Sequence, residues 1–105
     1  MKLYHLVPEA EEDLIREYEY VYLQNPPAAE RLVEQFTHAF RHLGGWPESG
    51  RLRPDLSNAE NPVRSWIAEK YLILYDAQST PLRILAILHG AQDINRIFKE
   101  RYLTE

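Results

Sequence analysis

The side chains in this sequence that could carry chemistry are mainly arginines and histidines. Arg51, Arg53 and Arg64 flank a segment rich in proline and glycine. A guanidinium group can hold a carboxylate or a phosphate through two parallel hydrogen bonds, so these arginines could bind an acidic partner. They could equally bond to carbonyl groups of their own loop. His89 closes an apolar segment, where its ring could meet a target or bond to nearby backbone.

Two further histidines, His38 and His42, have the spacing of metal ligands on one face of a helix. They face away from Phe36 and Phe40, however, and no acidic residue occupies a matching third position. The sequence contains no cysteine, no glycine-rich phosphate loop and no G-x-S-x-G motif. It therefore predicts no metal site, no cofactor and no nucleophile of these familiar kinds.

Length and charge narrow the classes of function. The 105 residues form one predicted domain, 1–105, with a net charge of −4 and a pI of about 5.6. Residues 1–50 carry four basic and nine acidic side chains (−5), and residues 51–105 carry eight and seven (+1). Such a chain lacks the charge of a general nucleic-acid binder. With no apolar run of membrane-spanning length and no signal peptide, we expect a cytoplasmic protein.

The segments that would position these groups are two apolar strands. Residues 71–75 and 82–90 are separated by a polar linker that ends in proline, which predicts a β-hairpin. The second strand is apolar on both faces, so we expect it inside a sheet rather than at an edge. Strict alternation places Leu85 and Ile87 on one face. The side chains on the other face would then be Leu82, Ile84, Ala86 and Leu88.

The first half of the chain predicts a short strand over residues 2–7 and two helices. Pro8 and the acidic residues after it suit a first helical turn, and the two prolines after Asn25 end that helix. Asn25 then caps a second helix that stops at Gly44 and Gly45. Both helices carry apolar faces that should pack on a sheet. These faces are Leu14, Ile15, Tyr18, Val21 and Tyr22 on the first helix, and Ala29, Leu32, Val33, Phe36, Phe40 and Leu43 on the second. Most of the tyrosines Tyr4, Tyr18, Tyr20 and Tyr22 should pack between helix and sheet.

The second half predicts a long loop over residues 46–62, a strand over residues 63–68, and a turn at Glu69 and Lys70 into the hairpin. A short helix should follow between Asp93 and Leu103, where apolar residues recur at helical spacing. These elements together define an α+β fold. We expect an N-terminal strand, an antiparallel helix hairpin, an antiparallel β-meander and a short C-terminal helix.

This order of elements, with several short motifs, resembles the RelE/ParE superfamily of toxins from type II toxin–antitoxin modules, and most closely its ParE branch. The motifs are Ala10-x-x-Asp13-Leu14 with Tyr18, Pro47-Glu-Ser-Gly50-Arg51, Val63-Arg64, residues 71–75, and Ile87-Leu-His-Gly90 through Asp93. The resemblance runs over almost the whole chain. It implies a small cytoplasmic toxin that is neutralised by an antitoxin wrapped around its surface.

The superfamily divides by target. RelE-like members cut mRNA in the ribosome without a metal, whereas ParE-like members are associated with poisoning of DNA gyrase. RNA cleavage needs groups that move protons and stabilise a charged phosphate. Where RelE-like members carry arginine, arginine and tyrosine, this sequence aligns Leu72, Gln92 and Phe98. We therefore expect no catalytic residue, although Gln92 also replaces an arginine that is common in the ParE branch.

The resemblance thus implies a protein–protein inhibitor of gyrase, neutralised by a ParD-like or similar antitoxin. The candidate target-binding residues are Arg51, Arg64, His89, Gln92, Asp93, Arg96, Lys99 and Arg101. The candidate antitoxin-binding residues are Trp46, Trp66, Tyr71 and Phe98, beside which an amphipathic helix of the antitoxin would lie. Two alternatives stay open: an endoribonuclease that uses His89, Arg64 and Arg51, and a non-toxic relative that only binds its antitoxin. Without that partner, the chain could form a homodimer through exposed apolar surface.

Overall fold

A five-stranded β-sheet forms the centre of the structure, a computed structural model that describes residues 3–103. The strands are β1 (Tyr4–Leu6), β2 (Arg51–Leu52), β3 (Arg64–Ala68), β4 (Tyr71–Asp76) and β5 (Leu82–His89). The helices are α1 (Pro8–Gln24), α2 (Pro26–Gly45) and α3 (Ile94–Tyr102). The order across the sheet is β1-β5-β4-β3-β2, with β1 parallel to β5 and each other pair antiparallel. This arrangement confirms the predicted α+β fold.

The two apolar strands lie inside the sheet, as predicted, but the faces assigned to β5 were wrong. Tyr75 pairs with Ile84 and Leu74 pairs with Ala86, so Leu85 is an extra residue in a β-bulge. Paired residues share a face of the sheet. Ile84 and Ala86, which strict alternation put together, therefore lie on opposite faces. One inserted residue is enough to reverse the alternation, and the apolar sequence gives no sign of it.

The helix hairpin follows the predicted boundaries. The Asn25 side chain accepts a hydrogen bond from the N–H of Ala28 at 3.2 Å, which caps α2 at its first turn. On α2 the predicted apolar face is largely buried, and the ring of Phe36 meets that of Tyr71 at 5.1 Å. This contact places the hairpin on the face of the sheet that carries Tyr71.

The predicted burial of α1 was wrong for several side chains. The buried residues of α1 are Ala10 and Asp13. Ile15 and Tyr22 are 48% and 47% exposed, and Tyr20 is 63% exposed. The reason is that α1 packs against α2, β5 and β1, and these neighbours leave one flank of the helix uncovered. The apolar residues of α1 are spread around the helix, so their spacing alone overestimated the buried stripe.

The segment between α2 and β3, predicted as a loop, contains β2 and two short 3₁₀ turns, Pro47–Ser49 and Pro54–Leu56. The Tyr75 hydroxyl accepts from the N–H of Gly50 at 2.8 Å and donates to the carbonyl oxygen of Pro47 at 2.7 Å. This buried hydroxyl fixes the segment against β4. At the other end of the chain, β1 begins at Tyr4. Lys2, the predicted start of this strand, lies outside the described residues.

The third helix covers the face opposite the hairpin. Asp76 and Arg83 form a cross-strand pair, and with Phe98 and Tyr102 they line a cleft of about 170 Å³. Phe98 is 1% exposed, so α3 buries this side chain against the sheet and closes the second side of the core. The sheet is therefore covered on both faces, as its apolar strands require.

Candidate functional site

The edge of β5 beyond β1 is closed by side chains instead of by a strand. β1 pairs with β5 only as far as Ile84. Further along this edge, the N–H of Ile87 donates to Oδ2 of Asp13 at 3.0 Å, and the Tyr102 hydroxyl donates to the carbonyl oxygen of Leu85 at 2.7 Å. Backbone groups left unpaired in the interior would cost stability. One side chain from α1 and one from α3 satisfy them here.

Asp13 is the centre of this arrangement. Its carboxylate is fully buried and accepts from Nη1 and Nη2 of Arg101, each at 2.8 Å, and from Nη2 of Arg16 at 2.6 Å. Burial alone would raise the pKa of Asp13, but the hydrogen bonds from Arg101, Ile87 and Arg16 outweigh it and lower the pKa below its ordinary value. The group is therefore a buried carboxylate anion with every oxygen bonded.

This pairing reassigns Arg101, which the sequence placed on the target-binding surface. Its guanidinium group forms a bidentate ion pair with Asp13, which joins α3 to α1. A partner that drew Arg101 away from Asp13 would leave a buried anion without its main cation. Arg101 is thus a positioning residue for α3, and the periodicity of α3 could not reveal its partner 88 residues earlier.

Further contacts fix α3 along its length. Asn95 donates to Oδ2 of Asp55 at 2.8 Å, and Arg53 donates to both carboxylate oxygens of the same residue at 3.0 and 2.8 Å. The hydrogen bonds from Arg53 keep the pKa of Asp55 well below its usual range. Arg53, a candidate for binding an acidic partner, instead holds Asp55, and Asp55 links the loop to α3. Burial raises the pKa of Tyr102 to about 12, so its hydroxyl remains a hydrogen-bond donor at neutral pH.

The outer side of α3 and the turn before it present polar groups to solvent. We call Gln92, Asp93, Arg96 and Lys99 the α3 surface; all four are exposed. Asp93 caps the helix by accepting from the N–H of Arg96 at 3.3 Å. Arg96 also lies 3.5 Å from Asp93 and 3.4 Å from Glu100, in ion pairs open to water. Such pairs contribute little to stability, so these groups are available for recognition.

His89 anchors this turn through its own hydrogen bonds. Its Nδ1 accepts from the N–H of Ala91 at 3.0 Å, and its backbone N–H donates to Oε1 of Gln92 at 2.7 Å. Its ring meets Tyr71 edge-on at 5.5 Å. These contacts favour the prediction that the His89 ring bonds to nearby backbone. They leave Nε2 of the half-buried ring as the nitrogen that could face a partner.

Arg51 and Arg64 lie elsewhere on the molecule. Arg64 donates to the carbonyl oxygen of Gly50 at 2.8 Å, so it bonds to its own loop, while Arg51 on β2 is exposed. Arg64 pairs with Tyr75 at one end of β4, and His89 pairs with Tyr71 at the other. The two ends are separated by roughly 13 Å along the strand at ~3.3 Å per residue. The predicted target-binding residues therefore form two groups, not one.

The four aromatic residues predicted to bind antitoxin also separate into two kinds. Trp46 is 69% exposed, and Trp66 is half-buried with its ring 5.1 Å from that of His42. Trp66 lines an open groove of about 670 Å³ between α2 and β3. Tyr71 and Phe98, by contrast, are buried core residues, and assigning them to a surface was wrong. Aromatic content alone cannot distinguish the two, because an aromatic side chain suits both a core and an interface.

The three positions that align with the catalytic residues of RelE-like members do not form a cluster of polar side chains. Leu72 pairs with Ile67 and Leu88 in an apolar row across the sheet, and Phe98 lies in the core. Gln92 bonds to the backbone of His89. Within residues 3–103, no three His, Asp or Glu side chains come close enough together to hold a metal ion.

Asp13 is the important residue whose role the sequence did not reveal. It was interpreted as one of four acids that complement the dipole of α1. The only signal that distinguishes it is its place in the Ala10-x-x-Asp13-Leu14 motif, beside the fully buried Ala10. Its spacing of three residues from Ala10 places the two on one helix face, but only the structure shows that this face is buried.

The helix hairpin lies on one face of a short meander, and the C-terminal helix packs on the other, which agrees with the fold that the resemblance to the RelE/ParE superfamily implies. The sequence matches the family model for the ParE toxin of the type II toxin–antitoxin system parDE over residues 4–94, and the chain belongs to this family. A comparison with curated protein sequences gives no match. Among the described residues, no helix is long and apolar enough to cross a membrane.

Proposed function

We propose that this chain is a cytoplasmic toxin that poisons DNA gyrase through protein–protein contact at the α3 surface. The observation that carries the proposal is the rigid attachment of α3, since Arg101 and Tyr102 bind it to α1 and β5. Arg96 and Lys99 are exposed on the outer side of this helix, Arg96 in ion pairs that are open to water. A recognition surface on a fixed helix loses little entropy when it binds.

The absence of a shared catalytic geometry supports inhibition by binding over RNA cleavage. A substitute endoribonuclease site would need His89, Arg64 and Arg51 around one phosphate. His89 and Arg64 lie at opposite ends of β4, and Arg64 is bonded to Gly50. The acidic charge of the chain also disfavours general affinity for RNA.

A ParD-like antitoxin is the second part of the proposal. Trp46 is exposed, and Trp66 lines the open groove of about 670 Å³ between α2 and β3, where an amphipathic helix of the antitoxin would lie. Covering this groove would also bury part of the exposed apolar surface through which the free chain could self-associate.

The experiment that tests the toxin function is induction of the chain alone in bacteria. Growth, the DNA-damage response and mRNA integrity are followed in the same cultures. Growth arrest with filamentation, a DNA-damage response and intact mRNA is the expected result. Arrest with cleaved transcripts and no damage response would establish the endoribonuclease instead. Unimpaired growth with a folded chain would indicate a non-toxic relative that only binds antitoxin.

A further inference from the structure

The exposed flank of α1 has a regular pattern that the toxin function does not use. At about 3.6 residues per turn, positions separated by three, four and seven residues share one face of a helix. The residues of this flank follow that spacing along the whole helix. We define the α1 face as Glu11, Glu12, Ile15, Tyr18, Glu19, Tyr22 and Leu23.

The apolar members of the α1 face lie toward the C-terminal end of the helix and are accessible. Ile15, Tyr22 and Leu23 are 48%, 47% and 86% exposed. Tyr18 stacks on Tyr22 with ring centroids 5.8 Å apart, and its hydroxyl donates to Oε1 of Glu30 at 2.9 Å. The two tyrosine rings are therefore held in one orientation, as a preformed apolar surface bordered by an acid of α2.

The charged members of the α1 face are all acidic. Glu11, Glu12 and Glu19 are exposed, and α1 contains a single basic residue, Arg16. Arg16 borders the face, four residues after Glu12 and three before Glu19, and its guanidinium group is bonded to Asp13 and lies 3.8 Å from Glu17. The face thus combines large apolar side chains with a net negative charge. Electrostatic complementarity calls for a partner with the opposite charge and a matching apolar repeat.

We propose that the α1 face docks a basic amphipathic α-helix of a partner protein, with leucine-like side chains over Ile15 and Tyr22 and lysine or arginine opposite Glu12 and Glu19. A helix matches the length and the repeat of the face, because apolar positions on two helices packed side by side recur at the same interval. A second copy of the chain fits poorly, since pairing two α1 faces would oppose acid to acid. This inference depends neither on gyrase nor on the antitoxin.

Two synthetic helical peptides test the proposal with the full chain. Each has three heptads with leucine at a and d; one carries lysine at e and g, and the other carries glutamate. We expect the lysine peptide to bind at least about tenfold more tightly, by fluorescence anisotropy, and to weaken as salt is raised. Equal binding of the two peptides, or binding of neither, would overturn the proposal.

Matched variants locate the binding. Tyr22→Ser should weaken the affinity for the lysine peptide by roughly tenfold, and Glu19→Lys by roughly fivefold, as expected for a central aromatic and a flanking charge. The control variants are Tyr20→Ser and Glu9→Lys, which change exposed residues of the same types outside the α1 face. They should change this affinity by less than about twofold. Equal losses in both sets would contradict a defined face. A dimer of the chain alone that Tyr22→Ser dissolves and Tyr20→Ser does not would assign the face to a second copy.

Discussion

Arg101 donates to both carboxylate oxygens of Asp13 at 2.8 Å, and this ion pair joins the last helix of the chain to the first. The same carboxylate accepts from the backbone of Ile87 in β5. One side chain thus connects the helix hairpin, an open strand edge and the helix that carries the α3 surface. The stability of the fold and the position of the α3 surface therefore both depend on this residue.

Replacement of Asp13 should destabilise the fold strongly. Asp13→Ala leaves the N–H of Ile87 without an acceptor and Arg101 without its anion, at a cost of about 3–5 kcal/mol. Urea denaturation monitored by circular dichroism measures this loss in the free energy of unfolding.

A double variant tests the coupling between the two residues. Asp13→Ala combined with Arg101→Ala should lose about 1–3 kcal/mol less free energy of unfolding than the sum of the losses in the two single variants. Arg96→Ala, which removes only solvent-exposed ion pairs, serves as the control and should cost less than about 1 kcal/mol. Strict additivity would contradict the coupling.

The same carboxylate predicts a pH dependence. Because the folded pKa of Asp13 lies below its ordinary value of 3.8, ionisation stabilises the folded state above that value, and the stabilisation is lost as the pH falls through the lowered pKa. Asp13→Asn removes this contribution. The free energy of unfolding should therefore fall more steeply between about pH 5 and pH 2 in the parent chain than in Asp13→Asn. Parallel profiles would show that Asp13 does not titrate as proposed.

Substitution of Gly50 tests how tightly the loop packs on Tyr75, and Gly45 provides the control position. A methyl group at Gly50 would meet the hydroxyl of Tyr75 and lie 2.6 Å from the carbonyl oxygen of Ser65, whereas one at Gly45 would meet nothing within 4 Å. Gly50→Ala should cost about 1–3 kcal/mol by overpacking. Gly45→Ala, at the end of α2, should be neutral or stabilise by up to about 1 kcal/mol. Thermal denaturation distinguishes the two variants. Equal melting temperatures would show that the loop at Gly50 shifts to make room for the methyl group without a loss of stability.

Charge reversal on the α3 surface should reduce toxicity without unfolding the chain. Arg96→Glu combined with Lys99→Glu replaces two exposed cations, and we expect growth arrest on induction to weaken by about tenfold or more in viable counts. Arg41→Glu, an exposed position on α2, is the control and should remain fully toxic. Circular dichroism of the purified variants verifies the fold. If the double variant kept full toxicity, the target would not bind at the α3 surface.

Local sequence signals predicted most of the fold because they act over a few residues. Asn25 and the flanking prolines set the helix boundaries, and residues 71–75 and 82–90 formed the central strands as expected. The errors arose where a distant contact decides the outcome. The exposure of Ile15 depends on which neighbours reach α1, and the bulge at Leu85 depends on its pairing with β4.

The candidate site was less predictable than the fold for the same reason. Arg96 and Arg101 are similar basic residues on one short helix, yet one faces solvent and the other pairs with a buried acid. Phe98 and Trp46 are both aromatic, yet one is 1% and the other 69% exposed. Residue type indicated what each could bind, but only the tertiary contacts show which of them can reach a partner.

The closure of β5 by the last helix also has a consequence for the timing of synthesis. Translation makes Arg101 88 residues after Asp13, so a growing chain holds this carboxylate without its main partner and β5 with an open edge until α3 has been made. Because the α3 surface belongs to the same helix, we expect a polypeptide that ends before α3 to lack both a completed fold and an ordered recognition surface. The chain would then become competent to bind its target only after α3 has packed on β5.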